Sequence, residues 1–156
     1  MNMKSILKFF MLPLIAAAIF SGCNNKPPFE RLMMAVDSVN AFYQNQPEMS
    51  SADARLVYDQ VTNTVKFNYE LPSAEAAEFY KDNVDVTENI LLNSYLPQAP
   101  CNLFKEIVDA QANIMIVYDW GKDGHSEYLI TSDRVKKSYD DFINPSANTD
   151  QSHRPH

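Results

Sequence analysis

Along this chain the spacing of apolar residues changes from helical to extended and back, twice, and that alternation limits the folds open to it. Phe29, Leu32, Met33, Val36, Val39 and Tyr43 recur at steps of three and four, which puts them on one stripe of an amphipathic helix over Phe29 to Gln44. Pro47 closes that helix, and Met49 to Asp53 reads as a loop. The period then drops to two. Val65, Phe67, Tyr69 and Leu71 alternate with Thr64, Lys66, Asn68 and Glu70, the pattern of a half-buried strand with one wet face. Leu56 and Tyr58 alternate in the same way upstream. Gln60 to Asn63 between them is short enough to turn a hairpin, with Asn63 tolerating positive φ.

The pattern then repeats. Pro72-Ser73 ends the strand, and Ser73 is a suitable N-cap for a helix whose stripe is Tyr80, Val84, Thr87, Leu91 and Tyr95. Asn83 to Val86 is weak helix and a place to kink. Pro97 and Pro100 bracket a connection to a second helix over Pro100 to Ala110, with Leu103, Phe104, Ile107 and Val108 inward. Ile114 to Trp120 is apolar on both faces, Ile114, Ile116, Tyr118 and Trp120 on one and Met115 and Val117 on the other, as in a central strand. Gly121-Lys122-Asp123-Gly124 is a turn, Glu127 to Thr131 returns as a strand, and Thr131 or Ser132 caps a helix bearing Val135, Tyr139, Phe142 and Ile143. The expected architecture is α+β in the order α-ββ-α-α-ββ-α. Two β-hairpins make one antiparallel sheet of about four strands, with helices packed on one face.

A different signal precedes all of this. Lys4 and Lys8 stand before an apolar run, Phe9 to Phe20, of 12 residues, too short for a spanning helix of about 20 residues and suited to a secretory signal. It ends in Phe20-Ser21-Gly22-Cys23. This stretch resembles the lipobox of bacterial lipoproteins, with small residues at the two positions before the cysteine and Phe20 where leucine is usual. The resemblance covers residues 1–23. It implies that residues 1–22 are a signal peptide, that Cys23 is lipidated, and that residues 23–28 are a tether stiffened by Pro27-Pro28. It further implies a cell-envelope location with the lipid bilayer as a partner, and Asn24 in place of aspartate favours the outer membrane over the inner. Residues 29–143 then form a single domain, and residues 144–156 a disordered polar tail.

Composition narrows the function. Of 13 basic and 20 acidic residues, Lys4 and Lys8 belong to the leader, so the body carries net −9 rather than the −7 of the whole chain. Such a surface is repelled by nucleic acid and by anionic headgroups, so neither is an expected partner of the body itself. Part of the excess is local: Glu70, Glu75, Glu78, Asp82, Asp85 and Glu88 are opposed by Lys81 alone. With Cys23 acylated, Cys101 has no partner for a disulfide and is expected to be structural. Three glycines allow no nucleotide-binding loop, and GxSxG, HExxH and CxxC are absent. Asp119, Asp123, His125 and Glu127 cluster near one turn without the regular spacing of a calcium loop. The expectation is therefore no cofactor, no metal, no catalytic residues and no enzyme. A non-catalytic module would bind an envelope protein or a glycan. The residues singled out for binding are Trp120, Tyr118 and His125, the alternative function being a small-ligand or glycan site on the sheet face and the Trp120 hairpin.

Overall fold

A computed structural model of the chain describes residues 25–45 and 55–145. The signal, Cys23, the loop at 49–53 and the tail beyond 145 lie outside the described residues. Helix α1 spans Pro28–Gln44. Strands β1 (Arg55–Asp59) and β2 (Thr64–Glu70) form the first hairpin. Helices α2 (Ala74–Asp82) and α3 (Val84–Ile90), a wide turn at Leu91–Tyr95 and two short tight turns lead to α4 (Leu103–Asp109). Strands β3 (Asn113–Asp119) and β4 (His125–Ile130) form the second hairpin, and α5 (Ser132–Ile143) follows. The fold is α+β, four strands in the order β1-β2-β3-β4 with helices on one face.

Each hairpin is antiparallel, but β2 and β3 run parallel, Phe67 opposite Ile116 and Glu70 opposite Asp119, so the sheet is mixed rather than antiparallel throughout. The reason is the long crossover. It carries the chain from the end of β2 back to the end where β2 began, and β3 must start there. Asn113 N–H donates to the Asn63 carbonyl at 2.9 Å, fixing that start beside the first hairpin's turn.

One row across the core face reads Leu56, Phe67, Ile116 and Tyr128; the next reads Tyr58, Val65, Ile114 and Ile130. Leu32, Val36 and Val39 of α1, Leu91, Leu92 and Leu96 of the crossover, Leu103, Phe104 and Ile107 of α4 and Val135 of α5 pack on these rows in one buried cluster. The stripe foreseen from Tyr80 to Tyr95 does face the core, although Asn83 (φ −114°, ψ 27°) breaks the helix in two. Tyr80 stacks on Tyr118 at 5.5 Å, Thr87 accepts from the Tyr118 hydroxyl at 2.9 Å, and Tyr95 meets Tyr43 and Phe67. The wide turn at Leu91–Tyr95 adds a residue to the helical repeat, and consecutive Leu91 and Leu92 are both buried.

Local chemistry explains the ends. Ser73 caps α2 by accepting from Ala76 N–H at 3.2 Å. The second crossover helix starts at Leu103 rather than Pro100, because Cys101 (φ 60°) and Asn102 (φ 54°) both take left-handed backbone. Neither Thr131 nor Ser132 caps α5 through its own side chain; Asn113 of β3 reaches across and accepts from Ser132 N–H at 2.9 Å. Asn40 on α1 donates to the Leu56 carbonyl at 2.8 Å and accepts from its N–H at 3.1 Å, so an edge strand has its outward amide satisfied from within.

Asn63 (φ 47°) concentrates several of these roles. Its amide donates to the carbonyls of Ala110 and Gln111 at 3.0 and 3.1 Å, and its oxygen accepts from the Tyr58 hydroxyl at 2.8 Å. Asn63→Ala therefore strands two carbonyls and a phenol and places a less tolerant residue at positive φ. The expected loss is about 2–3 kcal/mol, read as a lower urea midpoint at unchanged m-value. A loss below about 0.5 kcal/mol would show that water replaces these bonds without cost.

Candidate functional site

Side chains on a strand alternate between faces, so the rows between the core rows define the opposite face of the sheet. The central one reads Val57, Lys66, Met115 and Leu129, and its neighbour Arg55, Asn68, Val117 and Glu127. None of these residues belongs to the buried cluster, and every helical side chain of that cluster packs on the other face. Among the described residues, then, no helix covers this face. Its edges expose apolar surface, Val57 at 42% and Leu129 at 48%, while Val117 on the central strand is 8% exposed. Four strands about 4.8 Å apart and about 20 Å long give the whole face roughly 400 Å², shared between these apolar side chains and polar ones. Arg55 and Lys66 on one half and Glu127 on the other give it charges of both signs, with Lys66 also 3.8 Å from Asp59.

The residues singled out from sequence fall in different places. Tyr118 is buried on the core face, between Tyr69 at 5.8 Å and Tyr80. Burial pushes the phenol of Tyr69 up to about 12, so that group stays neutral. Trp120 is half-buried against the core, and Gly124 (φ 138°) lies against its ring: a Cβ there would meet Cζ2 at 3.1 Å. His125 is exposed and pairs in register with Asp119 on the open face. The three do not converge on one pocket. Asp119, His125 and Glu127 share the open face, but among the described residues no group of three or more His, Cys, Asp or Glu is arranged to hold a metal ion. Burial raises the thiol pKa of Cys101 against the lowering effect of a hydrogen bond with Ser38, so the thiol is protonated at neutral pH.

A groove that the sequence did not reveal opens at the turn end of the first hairpin. Its volume is about 470 Å³, and Phe29, Tyr58, Gln60, Asn63 and Gln111 are among its walls. Asp109 also lines it but is taken up by Arg31 and Lys105, both at 2.6 Å. Tyr58 donates to Asn63. The groove thus presents amides and an aromatic wall and brings no nucleophile together with a base. Its signal in the sequence was indirect, since its walls come from α1, the first turn and the end of α4.

No protein-family model, curated protein or solved structure matches the chain.

Proposed function

We propose that the protein is an envelope lipoprotein, fastened through acylated Cys23, whose domain binds a partner protein on the open face of its sheet without catalysing a reaction. The observation that carries this reading is the row Val57, Lys66, Met115 and Leu129, apolar at three positions of four and uncovered by the described helices. A sheet face buries such a row in most folds; here the burial is left to a partner. The mixture of Arg55, Lys66 and Glu127 around it supplies the polar rim that sets orientation.

The test compares wild type with Val57→Lys/Leu129→Lys in pull-down from envelope extract with the anchor intact. Both side chains are about half exposed, so the melting temperature should move little. The expected result is one envelope protein retained by wild type and lost by the variant, at least a tenfold drop in recovery, as about 1.4 kcal/mol of interface energy implies. A partner held equally by both, or none held by wild type, refutes the assignment.

A further inference from the structure

The two ends of the sheet differ in character. Thr64 and Asn113 mark one end, Glu70, Asp119 and His125 the other, and seven residues of β2 separate them by about 20 Å. At the first end the turn of the first hairpin carries Val61, 96% exposed. Gln60 beside it donates to the Met33 sulfur at 3.2 Å, and Gln60 and Phe29 line the same groove, so Phe29, Met33 and the turn that carries Val61 lie at the same end of the domain. Phe29 and Met33 are themselves 45% and 38% exposed. Most carboxylates of this end are paired, Asp109 with Arg31 and Lys105, Glu106 with Arg31 and Asp59 with Lys66, while Glu30 beside Phe29 forms no ion pair among the described residues. At the other end Glu70 closes β2 and α2 begins with Glu75 and Glu78, and among the described residues no ion pair neutralises these three.

The chain leaves the domain at the apolar end. Arg31, while bridging Glu106 and Asp109 at 2.8 and 2.6 Å, also donates to the Lys26 carbonyl at 3.1 Å, which fixes the start of the described chain against the body. Lys26 is three Cα-to-Cα steps from Cys23, a reach of about 10 Å at full extension. A fastening at position 23 would therefore hold this end of the domain, rather than the far one, close to the bilayer.

We propose that this end is seated in the bilayer interface, with Val61, Phe29 and Met33 entering the boundary between headgroups and acyl chains and the unpaired acids of α2 held away from the lipid. The proposal rests on the anchored reading and adds to it the orientation of the domain. The depth reached is that of an interfacial contact, about 5–10 Å. Seating on lipid also leaves the open sheet face standing along the membrane normal, accessible from the side.

Trp120, the one tryptophan of the chain, lies at the far end and serves as an internal control. Full-length protein is reconstituted in phosphatidylethanolamine/phosphatidylglycerol vesicles containing a lipid with a nitroxide near the headgroup. Wild-type emission should not be quenched. Val61→Trp, a change at an exposed turn, should add a blue-shifted emission most of which the nitroxide lipid removes. Extra emission quenched no more than that of Trp120 overturns the seating, and so does equal quenching of both. Mass spectrometry of the same sample reads the anchor separately. An acylated Cys23 with unquenched Val61→Trp overturns the seating and leaves the anchor standing. An unacylated N-terminus overturns the anchor, and the quenching then decides the seating on its own.

Discussion

Ile116→Asp is expected to abolish the folded state. Ile116 is fully buried, between Phe67 on β2 and Tyr128 on β4, in the row on which the helices pack. Replacing it removes about 2–3 kcal/mol of apolar burial and places a carboxylate in the buried cluster, where no cation is among the buried residues, at a further cost of several kcal/mol. The sum is comparable to the whole stability of a domain this size, about 5–15 kcal/mol. Near-UV circular dichroism should lose its fine structure and the thermal transition should vanish. Two controls give the result its meaning. Ile116→Val should cost about 1 kcal/mol and keep a cooperative transition. Met115→Asp, one residue away but on the open face, should cost less than about 1.5 kcal/mol, because the new charge meets solvent there. Equal damage at 115 and 116 would mean that something covers the second face; an unchanged melting temperature for Ile116→Asp would mean that β3 is not central.

That pair of neighbours also shows why so much of the fold could be read from the chain. Strand periodicity is local information. Val65, Phe67 and Tyr69, and then Ile114, Ile116 and Tyr118, reveal which side of each strand is inward without reference to the rest of the molecule. The same holds for Ser73 as a cap and for Asn63 at positive φ. What could not be read depends on contacts between distant segments. Parallel pairing of β2 with β3 is decided by where the crossover returns, and each hairpin's own pattern is compatible with either direction. Asn113 capping α5 across 19 residues, and Asn40 satisfying Leu56 across 16, are long-range bonds from residues that look unremarkable in their own elements. Pro100 is an ordinary helix-start signal, and only the tertiary position of Cys101 and Asn102 turns the chain left-handed there.

The candidate sites divide in the same way. Trp120 was singled out for its place beside a turn, where exposure is the usual outcome. Gly124, four residues on, has no side chain to keep the ring away, and Trp120 N–H donates to its carbonyl at 3.1 Å. The open face was legible in part, since Met115 and Val117 are apolar on the side of β3 away from its core residues. Val57 and Leu129 complete that row only when the register is known. The apolar end formed by Phe29, Met33 and Val61 was not legible, because one stripe of α1 had assigned the first two to the core and the third sits in a turn.

Cys23→Ala is expected to leave the chain unprocessed and without lipid. On the anchored reading the thiol is the acylation point, and cleavage before residue 23 follows acylation, so an alanine stops the sequence at its first step. The product should migrate as the precursor, larger by the 22 residues of the leader, and should not incorporate labelled palmitate. The energetic consequence is large because each buried methylene contributes about 0.8 kcal/mol, and anchoring becomes stable when two or more acyl chains act together. Phe29, Met33 and Val61 alone bury far less apolar surface than two acyl chains and should give only a weak, reversible contact. A vesicle flotation series separates the two contributions. Wild type should float quantitatively, a Phe29→Ser/Val61→Ser variant with its lipid should still float, and Cys23→Ala in which the leader has been removed by an engineered protease site should remain mostly in the soluble fraction. Mature-size protein in the membrane fraction of Cys23→Ala cells would contradict the anchor, because something other than a thioether-linked glyceride would then be holding the domain.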